Sequence, residues 1–98
     1  MRGMARYMIV RRFSVGESEM PAVGKRSREI VDEMPRIEWE HTHVTVDDDG
    51  NVRTYCVYEA DSLEQVHEHS RRLGLHDIEH VQEIAGDVSP ADFPPTPV

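Results

Sequence analysis

Six histidines, one cysteine and nineteen acidic side chains occur in 98 residues, a supply of donors suited to a transition-metal ion. The densest pair lies in Ile37-Glu38-Trp39-Glu40-His41-Thr42-His43-Val44-Thr45-Val46. Read as a strand, this segment puts His41 and His43 on one face, because side chains two apart point the same way. Two neutral imidazoles so placed suit Ni²⁺, Zn²⁺ or Cu²⁺, which favour nitrogen donors. A third ligand has to come from a neighbouring strand, the C-terminal tail or a partner subunit. The competing reading is two partly exposed histidines on a dimer-facing strand.

The other chemistry-bearing residues each carry two readings. Cys56, in mid-strand, is a soft ligand as a thiolate or a small buried hydrophobe, the commoner fate of a free cysteine. Glu59 shares a strand face with Tyr55 and Val57. It is a ligand or general base there, or it holds a structural ion pair, with His69 or Arg71 as candidate partners. His67 and His69 lie two apart on a helix, about 200° around its axis, so they cannot chelate one ion together. His69 reaches toward a sheet and His67 toward Glu64 or Arg71. His76 and His80, flanked by Asp77 and Glu79, form an exposed polar cluster. Asp47-Asp48-Asp49-Gly50-Asn51 lacks the spaced ligands and distal Glu of a calcium loop and reads as a hairpin turn.

The formal charge of −8 argues against nucleic acid or an anionic membrane surface and suits attraction of cations. A single cysteine excludes an intrachain disulfide framework. No apolar run is long enough to span a bilayer, and Met1 to Val10 lacks the pattern of a signal peptide, so the expected location is cytoplasmic.

The elements that must position these residues are legible from pattern. Ala5 to Phe13 is rich in strand formers and stops at Ser14-Val15-Gly16. Met20, Val23, Ser27, Ile30 and Met34 mark an amphipathic helix from Ser18 to Met34, capped by Ser18, with Pro21 in its first turn and Pro35 at its end. Strands at Ile37–Val46 and Val52–Ala60 flank the turn. Leu63, Val66, Ser70 and Leu73 mark a second helix, with overlapping capping boxes at Asp61/Glu64 and Ser62/Gln65 and a stop at Gly74. A short strand follows from Ile78 to Ala85. Right-handed crossovers then give an α+β fold, a ferredoxin-like βαββαβ sandwich with both helices on one face of an antiparallel sheet. Residues 1–86 form this domain and 87–98 a proline-rich tail. Apolar residues on both faces of the strands (Tyr7, Ile9 and Phe13 against Met8 and Val10; Tyr55 and Val57 against Val52, Cys56 and Tyr58) imply that the open face is covered. A homodimer, sheet against sheet, is the economical solution.

Three runs on this frame carry a resemblance. Trp39-x-x-Thr42-x-Val44, Thr54-Tyr55-Cys56-Val57-Tyr58-Glu59-Ala60, and Glu68-His69-Ser70 with Gly74 after it resemble a family of small bacterial nickel-binding proteins that share a domain of unknown function. The resemblance spans Arg6 to Ile84. It implies a ferredoxin-like dimer that binds Ni²⁺, with sequestration as a role and no established catalysis. It carries metal function to Cys56, Glu59 and His69 as matching positions. At His43 the family carries an aromatic residue such as Tyr, which leaves the His41-x-His43 pair as a feature of this chain or as a variable surface strand. Two other function classes compete. One is a small-ligand binder or enzyme whose pocket uses Glu59, Tyr55 and His69, with Glu59 or His69 as acid or base. The other is a module that only dimerises.

Overall fold

The computed structural model describes residues 3–97. The strands are β1 (Ala5–Phe13), β2 (Ile37–Val46), β3 (Val52–Ala60) and β4 (His76–Glu83), and the helices are α1 (Met20–Glu33) and α2 (Leu63–Leu73). All pairings are antiparallel, in the order β2-β3-β1-β4. This is the ferredoxin-like sandwich that the element order implies. The first three strands have the limits that composition and turn signals mark out.

Alternation decides what each strand gives to the core. Tyr7, Ile9 and Phe13 of β1 and Val52, Cys56, Tyr58 and Ala60 of β3 point toward the helices. They meet Val23 and Ile30 of α1 and Val66 and Leu73 of α2 in one apolar cluster. Met8, Val10, Tyr55 and Val57 point the other way and stay part-exposed or exposed, with no helix over them. No helix among the described residues is long and apolar enough to cross a membrane.

Three local expectations change. Ser18 does not cap α1: it lies inside a 3-10 turn, Glu17–Glu19, that precedes the helix. Glu19 Oε2 accepts from the Gly16 N–H at 3.0 Å, and Pro21 brings no N–H to be capped. Ser62 does occupy the N-cap of α2, but its hydroxyl makes no cap bond. β4 starts and stops two residues earlier than Ile78–Ala85. The cause is the sharp reversal at Gly74 (φ 66°) and Leu75 (φ 63°). The Leu75 carbonyl accepts from the Ser14 N–H at 2.9 Å and the Ser14 hydroxyl at 3.0 Å, so the ladder with β1 begins at once, with His76 opposite Phe13. Past β4 the only regular element among the described residues is a 3-10 turn at Pro90–Asp92.

A bulge in β2 controls the metal question. The register slips between Trp39 and His41, leaving Glu40 as the extra residue. Strict alternation from Ile37 and Trp39 would have turned both histidines inward. The bulge instead sends Thr42 and Val44 inward and His41 and His43 to the open face, beside Val57 and Tyr55.

Candidate functional site

The sheet divides the candidate residues between its two sides. On the open side, His41 and His43 are exposed, and their ring centroids lie 5.3 Å apart with planes at 73°. Side chains two apart on one pleat account for this spacing. Glu59 is on the same side, opposite Glu38 on one strand and Arg6 on the other. Arg6 itself is engaged by Glu40 and Asp87. Tyr55 is opposite His43. The two imidazoles are a bidentate nitrogen set of the kind a borderline divalent ion accepts. Among the described residues no group of three His, Cys, Asp or Glu side chains converges as a metal site.

Cys56 and His69 lie on the other side, in the interior, and share no site with the histidine pair. His69 is 0 % exposed and both ring nitrogens are engaged. Nδ1 faces Arg11 Nη2 at 3.2 Å and Nε2 faces Ser27 Oγ at 3.2 Å. A guanidinium can only donate, so Nδ1 must accept and Nε2 carries the proton toward Ser27. Burial first, and the Arg11 charge second, push this imidazole down to about 4. A ring with no free lone pair, facing a cation, is a structural group. The pocket imagined around Glu59, Tyr55 and His69 does not form either, because the sheet separates the first two from the third.

What sequence reasoning missed is Arg11. Its position in Tyr7, Ile9, Arg11, Phe13 placed it on the inward set, and that was the available signal. The guanidinium is 1 % exposed. Nη1 donates to Tyr58 Oη at 3.0 Å and to Cys56 Sγ at 3.5 Å; Nη2 and Nε donate to Ser70 Oγ at 2.8 and 3.2 Å. The carbon of the guanidinium lies 5.4 Å from the Tyr58 ring centroid, a cation–π distance. Burial pushes the Tyr58 phenol up to about 12, so it stays neutral. A relay continues outward: Trp39 Nε1–H donates to Thr42 Oγ1 at 2.8 Å, and the Thr42 hydroxyl donates to Cys56 Sγ at 3.0 Å. Cys56 is thus a buried thiol that accepts from two donors.

Comparison with known proteins fits this architecture. The crystal structure of SCO4226 from Streptomyces coelicolor A3(2) superposes with a TM-score of 0.67 at 20% identity, over 86% of this chain and 100% of that one. The C-terminal domain of the MgtC protein from Mycobacterium tuberculosis gives 0.61 at 12% identity, over 88% of this chain and 92% of that one. The designed protein Foldit4 gives 0.57 at 18% identity, over 86% and 99%. At these identities the likeness is one of fold. No curated protein matches the chain. A family model described as nickel responsive protein SCO4226-like matches residues 7–85, nearly the whole sandwich, and the chain therefore belongs to the SCO4226-like family of nickel responsive proteins.

Proposed function

We propose that this protein binds and sequesters Ni²⁺ as a homodimer, taking the ion on the open sheet face at His41 and His43. The observation that carries the reading is the pair of exposed imidazoles 5.3 Å apart, in a chain whose family is named for its response to nickel. The surplus of nineteen acidic over eleven basic side chains favours cation capture. Glu59 stands on the same face as a further oxygen donor. The rest of the coordination sphere comes from water or from a second copy of the chain. Cys56 and His69 lie across the sheet from this ion.

Calorimetry on protein made without a histidine tag tests the site. Wild type is expected to take up Ni²⁺ stoichiometrically, and replacing His41 and His43 together by Ala is expected to abolish that uptake. Undiminished uptake in the double variant removes the pair from the mechanism. A metal seen only after nickel-affinity purification is no support.

The dimer rests on the apolar strip Met8, Val10, Tyr55 and Val57, which no helix covers. Val57→Asp places a charge at its centre and should convert a dimer to a monomer in sedimentation equilibrium, with the circular dichroism of the sandwich kept. A wild-type monomer at high concentration would leave the strip without its proposed partner.

A further inference from the structure

Between the sheet and α1 lies a cleft of about 220 Å³ that the metal reading does not use. Its walls include Phe13, Met20, Val23, Trp39 and Leu73. Polar groups on its sheet side come from Arg11, Thr42, Thr54, Cys56 and Tyr58. Two of them are unusual. The Thr54 hydroxyl is buried and has no hydrogen-bond partner among the described residues. An orphan of this kind is destabilising, and a ligand that bonds it recovers the loss. Arg11 is the one charged side chain lining the cleft, and every acceptor it meets is a hydroxyl, an imidazole or a sulfur. Arg6, Arg36, Arg53 and Arg71, at the surface, each meet a carboxylate. The cation that water screens least meets no anion, the reverse of the usual rule for buried charge.

We propose that this cleft is a binding site for a small organic acid with an apolar body, its carboxylate against the Arg11 guanidinium and the Thr54 hydroxyl. The carboxylate replaces the weakest of the Arg11 contacts, the 3.5 Å one to Cys56 Sγ, with a charge-assisted hydrogen bond. A second oxygen accepts from Thr54, which stands opposite Arg11 in the β1–β3 register. The apolar walls take a short alkyl chain or a single ring. The volume is below the ~300 Å³ at which drug-sized sites begin, so larger acids and nucleotides do not fit. The site is independent of the histidine pair, which lies across the sheet.

Trp39, the chain's only tryptophan, lines the cleft and reports on it. Titrating the full chain with benzoate and hexanoate should give a saturable change in Trp39 emission. Benzamide and hexanamide, matched in shape but neutral, should bind about tenfold more weakly or not at all, the factor expected for losing one charge-assisted bond. Gly24 on α1 also lines the cleft, and a Cβ there meets nothing within 4 Å. Gly24→Leu should fill the space and abolish the response while keeping or raising the melting temperature, since leucine favours a helix over glycine. Thr54→Val should weaken binding of the acids, since it removes the donor to their second oxygen. The proposal is overturned by an absent or non-saturating response, by amides that match the acids, or by undiminished binding in a folded Gly24→Leu variant.

Discussion

Lowering the pH from 6.5 to 4.5 is expected to cost the folded chain on the order of 2 kcal/mol, through His69 above all. In the folded state its imidazole is held down to about 4, against an ordinary value of 6.5. The unfolded chain therefore binds a proton through this window that the folded chain does not. Stability is full above 6.5 and drains away as the pH falls toward 4. Burial is the larger cause, and the Arg11 charge is the second: a proton on Nδ1 would point at Arg11 Nη2, 3.2 Å away and itself a donor. His76, also lowered by burial, adds in the same direction. The carboxylates held low by hydrogen bonds, Asp47 and Glu68, start from ordinary values of 3.8 and 4.5, so their contribution is lost mainly below the histidine window and Glu68 overlaps only its lower edge. Urea denaturation at several pH values reads the slope. His69→Gln keeps an acceptor for Arg11 and a donor for Ser27 but does not titrate, and most of the slope should vanish with it. A wild-type slope that survives this change assigns the proton uptake elsewhere.

Much of this arrangement was legible beforehand. β1, β2 and β3 are bounded by turn residues and rich in strand formers, and α1 and α2 carry apolar stripes at helical spacing, so element order and sandwich followed. The pairing of His41 with His43 on one face also followed from the two-residue period. Which face they occupy depended on a bulge. Its trace is a change of phase: the apolar positions run odd at Ile37 and Trp39, then even at Val44 and Val46, and the slip has to fall between them. The interior site was harder to see. His69 and Cys56 advertise metal chemistry by residue type, yet each is an acceptor for Arg11 and serves the core. An arginine in a strand ordinarily reads as solvent-facing, and only its parity with Tyr7, Ile9 and Phe13 placed it inside. Ser27 and Ser70 sit on the buried stripes of their helices for the same reason: each hydroxyl faces a polar group of the interior.

Replacing Arg11 by Met sets two effects against each other, and their sizes decide the sign. Removing a charge from the interior relieves its desolvation, and substitution of buried charges by apolar residues of similar size has stabilised other proteins by 1–4 kcal/mol. Such gains came where the whole polar group was replaced together. Here Tyr58 Oη, His69 Nδ1 and Ser70 Oγ would remain, and each would lose its bond to Arg11. Buried acceptors left without donors cost roughly 1–3 kcal/mol each, and three of them outweigh the relief. Arg11→Met is thus expected to destabilise the chain by about 2–4 kcal/mol. Its pH dependence should move as well. With the neighbouring cation gone, His69 rises back toward its ordinary value, and the loss of stability between 6.5 and 4.5 shrinks. Arg11→Lys does not restore the wild type, because an ammonium has three donors on one atom and cannot span Ser70, Tyr58, His69 and Cys56 as the planar fork does. Denaturant midpoints of Arg11→Met, His69→Gln and the double variant, measured at both pH limits, isolate the coupling between the two side chains. Additive effects would mean that the guanidinium and the imidazole do not act on one another across their 3.2 Å contact.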